Sequence, residues 1–437
     1  MSIGFLKELQ WRGMLHQTTA DEALPAYLAG GMRTCYCGFD PTSTSLTIGN
    51  LVPMMLLARW QRCGHRPIVL CGGGTGLIGD PSGKDAERSL QTREQVQANV
   101  AAQRRIFSRV IDVDSGADNA AIMVDNADWL CELGYLDVLR DVGKHFSVNA
   151  MIQKDSVRER LHNREQGISY SEFSYMLLQA YDFLHLRRTY DCTVQIAGSD
   201  QYGNIVSGID LIRRHMADVP EEQVRGYGIT APLITKADGT KFGKTESGSV
   251  WLTADRTSPW AFHQFWLNAS DEDAGRFLRF FTFLDRPAIE ELERRHAEAP
   301  HERIAQRALA SEVTRMMHGE DELTRVESAA RALFGGSVRD LEEDMLDAVF
   351  ADVGSSDHGR AALEDGVMLV ELLPETPLAG SRREARAFLK AGSVSINGEK
   401  IAGEDAVQRA LGTADLLHGR TILLRRGKKA WHCTQWT

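Results

Sequence analysis

Hydrophobic and polar positions along the first 235 residues alternate between short apolar runs and longer helical stretches. Arg33-Thr-Cys-Tyr-Cys-Gly-Phe39 is a β-prone run that stops at Asp40-Pro41. A helix is predicted over 48–63, followed by Pro67-Ile-Val-Leu-Cys71, a continuous apolar run of the kind a buried strand shows, ending in glycines. Further strands are predicted over 121–124, 193–197 and 229–234, with helical segments between them. Strands alternating with helices predict an α/β fold with a parallel sheet covered on both faces. Ligands of such sheets bind beyond the C-terminal ends of the strands, where Cys37-Gly-Phe-Asp40, Gly72-Gly-Gly74 and Gly198-Ser-Asp200 fall. From 258 to 335 the pattern turns wholly helical, with Phe277, Phe280, Phe281 and Leu284 at three-to-four spacing. Segment 340–374 carries helical pieces broken at Gly354-Ser-Ser356. Beyond Pro374 and Pro377 a compact unit is predicted: a helix over 382–391, a strand and turn over 393–398, and a strand over 421–424.

Composition narrows the class. Among 437 residues, 43% are apolar and 25% charged, ordinary for a globular protein. No apolar run approaches the ~18 residues of a membrane span, and Lys7 and Glu8 interrupt the stretch where a secretory leader would be apolar. Seven cysteines without metal-type spacing predict reduced thiols and a cytoplasmic setting. The net charge of −10 argues against a polyanion-binding protein, yet it is unevenly spread. Residues 340–374 hold ten acids and one base, and residues 375–437 hold eleven bases and six acids. The total conceals a basic module.

Several segments could carry chemistry. Gly74-Thr-Gly-Leu-Ile-Gly79 matches a dinucleotide pattern, but Asp80-Pro81 follows where a helix should open, and 79–84 is one residue short of a phosphate loop of the Walker type. A Gly-rich turn that admits a ligand close to backbone remains. Tyr175, Gln179 and Asp182 fall on one face of a predicted helix, a phenol, an amide and a carboxylate suited to a small polar ligand or to solvent. Tyr36, Gly38 and Asp40 share a strand face. Thr240-Lys-Phe-Gly-Lys-Thr245 is a polar loop whose two lysines can offset charge on a leaving pyrophosphate. Serine-hydrolase elbows and zinc-protease helices are absent from the sequence.

Taken in order, Tyr36-Cys-Gly-Phe-Asp-Pro-Thr42, Tyr175-Met-Leu-Leu-Gln-Ala-Tyr-Asp182, Gln195-Ile-Ala-Gly-Ser-Asp-Gln201 and Lys241-Phe-Gly-Lys-Thr245 resemble the bacterial-type tyrosyl-tRNA synthetases, which are class I aminoacyl-tRNA synthetases. The resemblance covers essentially the whole chain. It implies a Rossmann-like catalytic domain (1–250), an α-helical anticodon-binding domain (251–338), an acidic connector (339–374) and a small α+β S4-like RNA-binding domain (375–437). It implies ATP as a substrate with Mg2+, no tightly held protein metal site, tRNA(Tyr) and L-tyrosine as partners, and a homodimer away from membranes.

Residue by residue, the resemblance implies that Tyr36 and Asp182 hold the substrate phenol, and that Asp80, Tyr175 and Gln179 surround its ammonium group. Gln195 and Gln201 would position the amino acid. ATP contacts would come from Cys37, Gly38, Asp40, Gly49, Gly198, Asp200 and Lys244. Lys241, Lys244, Thr245, Lys84 and Thr42 would act around the phosphates. The family's His-Ile-Gly-His segment reads Thr47-Ile-Gly-Asn50 here, so both imidazoles are replaced by groups that can still donate hydrogen bonds. Pro53 is read as lying early in the helix, where proline is tolerated. Arg382, Arg383, Arg386 and Lys390 would face RNA phosphates. Three alternatives stand beside this reading: a tryptophanyl sister, which has no need of the Tyr36/Asp182 pair; a small-molecule adenylyltransferase, which has no use for the C-terminal modules; and a non-catalytic RNA-binding protein on a synthetase scaffold.

Overall fold

The chain's fold is given by a computed structural model, which describes residues 4–79, 91–154, 157–158, 168–240, 242–245, 248–335, 338–351, 353–427 and 430–437. It divides into two units. One comprises 1–257 with 265–317, the other 258–264 with 318–437.

The first unit is built on a six-stranded sheet. Its strands are β1 (Gln17–Thr18), β2 (Thr34–Phe39), β3 (Arg66–Cys71), β4 (Ile122–Asp125), β5 (Cys192–Gly198) and β6 (Tyr227–Ala231). The order is β1-β6-β5-β2-β3-β4, parallel except for β1, which pairs antiparallel with β6. The central strands are apolar throughout because both faces are covered; in β5 every residue from Cys192 to Ala197 is buried. The five predicted strands are present, the last beginning two residues early. β1 is too short to show a pattern and was not legible. Strand order reverses at β2, which lies between β5 and β3, and this opens a crevice at the strands' C-terminal ends.

Helix α1 (Ile48–Arg62) follows β2, and α2 (Tyr170–Tyr190) precedes β5. Pro53 sits at the sixth position of α1, past the first turn expected for it, so it has no N–H to donate to the Gly49 carbonyl. Predicted helical segment 251–338 does not fold as one body. Helix α3 (Asp271–Phe281) belongs with the sheet unit, and buried arginines explain why. Arg59 Nη2 of α1 donates to the carbonyls of Arg279 (3.0 Å), Phe280 (3.1 Å) and Thr282 (2.8 Å). Arg12 donates to Arg279 O (2.8 Å) and Leu284 O (2.7 Å). Two cations thus satisfy the orphan carbonyls at the negative end of α3. Phe242 completes the seam by stacking on Phe281, ring centroids 5.2 Å apart.

In the second unit a five-stranded sheet is ordered Glu399–Lys400, Val394–Ile396, Thr421–Arg426, Ala430–Trp436 and Ser355–His358. Asn397 and Gly398 turn the first hairpin with φ of 48° and 85°, the positive values such a two-residue loop demands. The last strand comes from the segment read as an acidic connector and pairs parallel with Ala430–Trp436. Acids of that segment also pair within the unit: Glu343 and Asp347 hold Arg420, and Glu342 and Asp344 hold Arg325. The charge separation along the sequence is therefore partly cancelled in the fold. What stays open is the outer face of helix α4 (Arg382–Lys390). Ser381 caps it, accepting from Glu384 N at 3.2 Å, Ala385 and Leu389 face the core, and Arg382, Arg383, Arg386 and Lys390 are exposed, Arg382 lying 3.5 Å from Glu371.

Candidate active site

The crevice encloses about 630 Å³, and its wall collects residues from β2, β5, α1, α2 and the turns after β3 and β6. Of the residues singled out from sequence, Tyr36, Cys37, Gly38, Asp40, Thr42, Gly49, Asn50, Tyr175, Gln179, Asp182, Gln195, Gly198, Asp200 and Gln201 all line it. Asp80, Lys84 and Lys241 lie outside the described residues, as does the side chain of Thr245.

One end of the crevice is buried and polar at once. Tyr36 is 1% exposed, packed against Phe183, and its hydroxyl has no hydrogen-bond partner among the described residues. Asp182 is 2% exposed, and each carboxylate oxygen accepts one bond: Oδ2 from Asn126 Nδ2 (2.9 Å) and Oδ1 from Trp129 Nε1 (2.8 Å). Burial pushes this carboxyl up to about 7, against the pull of those two donors. Burial, and after it the same Asp182, push the Tyr36 phenol up, so it stays protonated. A buried polar group without a partner is costly, and here it borders a cavity that a ligand hydroxyl can enter.

Asn126 does a second job. Its Oδ1 accepts from Gly74 N (2.7 Å) and its Nδ2 lies 3.1 Å from Thr75 Oγ1, so it ties the Gly-rich turn to Asp182. Neither Asn126 nor Trp129 belongs to a recognisable motif. The one available signal was position, since Asn126 follows β4 directly, at the C-terminal edge where such sheets place ligands.

Next along the cavity, amides form a chain. Gln179 Nε2 donates to Gln201 Oε1 (3.2 Å), Asn204 Nδ2 donates to Gln179 Oε1 (3.0 Å), and Gln201 Nε2 donates to Asp200 Oδ2 (3.0 Å). Gln195, at 2% exposure, has an Oε1 with no hydrogen-bond partner among the described residues. The helical face predicted from Tyr175, Gln179 and Asp182 is therefore turned to the cavity. Tyr175 OH donates to Asp40 Oδ1 at 3.2 Å, which Thr75 Oγ1 also meets at 3.3 Å.

At the other end, Cys37 is buried and its thiol is pushed up to about 12, which keeps it neutral. Asn50 Oδ1 accepts from both the N–H and the hydroxyl of Thr47, each at 3.0 Å. This closes the first turn of α1 on itself and commits the Thr47 hydroxyl proton to Asn50; Asn50 Nδ2 is the donor of the pair left for a ligand. Strands β7 (Lys244–Thr245) and β8 (Gly248–Ser249) form a small hairpin, with Gly243 at φ 84° leading into it. Gly243 O accepts from Val250 N (3.0 Å), and Val250 O accepts from Ile48 N (3.1 Å). The lysine loop is thus stitched by backbone to the start of α1. No three His, Cys, Asp or Glu side chains among the described residues group as metal ligands, and no described helix is long and apolar enough to cross a membrane.

Comparison with known proteins agrees with this geometry. Residues 30–335 match the family described as tRNA synthetases class I (W and Y), and residues 346–434 match the Tyrosine--tRNA ligase SYY-like C-terminal domain. The tyrosine--tRNA ligase of Roseiflexus castenholzii is 50% identical over 428 residues, 98% of each chain, and that of Geobacillus kaustophilus is 47% identical over the same span. Among solved structures, a C-terminally truncated mitochondrial tyrosyl-tRNA synthetase of Aspergillus nidulans superposes with a TM-score of 0.68 at 29% identity, covering 76% of this chain and 95% of that one. The sheet, the crevice and these relatives together show that the chain belongs to the class I tRNA synthetases of the tryptophan and tyrosine group, with the tyrosine--tRNA ligases.

Proposed function

We propose that this chain joins L-tyrosine to tRNA(Tyr) in two steps. The tyrosine carboxylate attacks the α-phosphorus of ATP and pyrophosphate leaves; the 3'-terminal adenosine of the tRNA then attacks the resulting mixed anhydride and AMP leaves. Neither step needs a protein nucleophile, so alignment and charge stabilisation carry the rate. The observation that carries the choice of amino acid is the Tyr36 hydroxyl, without a partner among the described residues, beside the buried Asp182 carboxylate. Together they suit a ligand phenol that accepts from one and donates to the other. Tyr175, Gln179, Gln195 and Gln201, with Asp80, would hold the rest of the amino acid. Cys37, Gly38, Asp40, Gly49, Gly198 and Asp200 would hold ATP, and Thr42, Asn50 oriented by Thr47, Lys84, Lys241, Lys244 and Thr245 would meet the phosphates. Asp40 already serves Tyr175 and Thr75, and Asp125 accepts from Gly73 N and Ala127 N; magnesium would accordingly arrive on the ATP phosphates. The purified protein is expected to exchange pyrophosphate into ATP when tyrosine is supplied. Exchange driven by tryptophan instead, or none at all, would overturn this reading.

RNA contact is proposed for α4, in an S4-like unit. Replacing Arg382, Arg383, Arg386 and Lys390 together with alanine removes up to four phosphate contacts. It is expected to raise KM for tRNA about tenfold or more and to flatten its salt dependence, while tyrosine-dependent exchange stays unchanged. Steady-state charging at two salt concentrations reads both.

A cytoplasmic homodimer with tRNA spanning both subunits completes the proposal. Tyr135, Leu136, Val148 and Tyr170 are each more than half exposed, and the Tyr135 and Tyr170 hydroxyls lie 3.4 Å apart; exposed large apolar side chains of this kind suit an interface. Sedimentation equilibrium is expected to return twice the 48.6 kDa of the chain, and Leu136→Asp to shift the population toward monomer.

A further inference from the structure

Catalysis by alignment requires that the lysine loop be held in register with the nucleotide pocket, and the loop's base shows how. Its first fixed point is the run from Thr235, which lines the crevice, to Ala237. Ala237 N–H donates to Asp273 Oδ2 at 3.1 Å. Arg276 donates through Nη2 both to Thr235 O and to Asp273 Oδ1, the latter at 2.6 Å. The carboxylate and the guanidinium therefore grip the chain on either side of Lys236, from consecutive turns of α3.

Asp273 is 3% exposed. A carboxylate at the third position of a helix ordinarily reaches back to its N-cap backbone; this one instead accepts from the Ser270 hydroxyl (3.0 Å) and from the loop. Ser270 alone already caps the helix, accepting from Asp273 N at 3.1 Å. The far end of α3 is fixed independently by Arg12 and by Arg59, and Arg59 projects from α1, the helix that opens with Thr47 and Asn50. One rigid helix thus joins both phosphate-facing segments.

We propose that Asp273, with Arg276, is a positioning residue for adenylate formation: it clamps the base of the lysine loop to α3 and so sets the loop's distance from the nucleotide and from the start of α1. The proposal rests on the tyrosine-activating reading above. Neither residue touches the amino-acid end of the crevice, so the clamp acts on the phosphate chemistry and leaves tyrosine recognition alone.

The test is tyrosine-dependent exchange by the full-length protein carrying Asp273→Asn, Arg276→Met or Ser270→Ala, with tyrosine Kd measured by equilibrium dialysis. Asp273→Asn is expected to lower kcat between about tenfold and a hundredfold, with KM and Kd for tyrosine within about twofold of the unsubstituted protein. Arg276→Met is expected to do the same to a smaller degree, and Arg276→Lys to recover part of it. Ser270→Ala, which removes the helix cap and one bond to Asp273 Oδ2 but neither bond to the loop, is expected to lower kcat much less than Asp273→Asn. An unchanged kcat in Asp273→Asn, a matching rise in tyrosine Kd, or an equal fall in Ser270→Ala would each overturn the clamp. Absence of exchange in the unsubstituted protein would overturn the functional reading itself.

Discussion

Asp182→Asn is expected to reduce kcat/KM for tyrosine by about 10- to 150-fold while changing that for phenylalanine much less. A hydrogen bond from the substrate phenol to an ionised acceptor contributes about 1.5–3 kcal/mol, and this loss falls on tyrosine alone. The substitution also misplaces a donor: Asn126 and Trp129 each point an N–H at one carboxylate oxygen, and an asparagine offers an oxygen to only one of them. A buried donor left facing another donor costs about 1–3 kcal/mol, a cost to the fold that is present whichever amino acid is bound and in the empty site alike. Phenylalanine makes no bond at this point, so discrimination collapses because tyrosine loses its advantage. Exchange kinetics with both amino acids read this directly, and an equal loss for both would show that Asp182 only shapes the pocket.

The same group sets a pH dependence. With its carboxyl raised to about 7, the empty site is half protonated near neutrality, and only the ionised form accepts from the phenol. Then kcat/KM for tyrosine rises with pH through about 7, and Asp182→Asn lacks that limb. For the empty fold the sign is opposite. The folded carboxyl is raised above its unfolded value, so its contribution to stability is present below the unfolded carboxyl's range and is lost as pH rises through about 7. Ligand binding benefits from the ionised form that the bare pocket disfavours.

How much of this was legible depended on whether a feature is local. Strands β2, β3 and β5 are apolar runs bounded by turn residues, and the spacing of Tyr175, Gln179 and Asp182 shows their shared face, so the sheet and the cavity wall could be read directly. Long-range partners could not. Asn126 and Trp129 lie 56 and 53 residues from Asp182 in sequence, and nothing in their neighbourhood announces the contact. Arg59 reads as an ordinary helix residue until the carbonyls of 279–282 are seen around its guanidinium, and those bonds are why 265–317 joined the sheet unit. Ser355–His358 was missed because Ser-Ser-Asp-His has no β pattern; it is a strand by virtue of its neighbour Ala430–Trp436.

Lys244→Ala carries the other large expected effect, on kcat instead of specificity. The residue is exposed at the start of β7, and the backbone around it is tied to the first turn of α1 through Gly243, Val250 and Ile48. The base from which its ammonium extends is therefore fixed to the start of α1, and on the proposed reading that ammonium meets the charge gathering on the departing pyrophosphate. Removing one well-placed electrostatic donor costs about 2.7–4 kcal/mol in the transition state, so adenylate formation should slow by about 10²–10³. KM for tyrosine should stay within about twofold, because the hydrogen bonds given above for Asp182 and Gln179 come from Asn126, Trp129, Gln201 and Asn204, all on other elements. Lys244→Arg retains the charge but not its compact geometry and should fall between the two. Rapid-quench measurement of adenylate formation distinguishes this from a binding defect: a normal rate at saturating ATP and tyrosine, with only KM raised, would mean that Lys244 binds the ground state and does nothing more in the transition state.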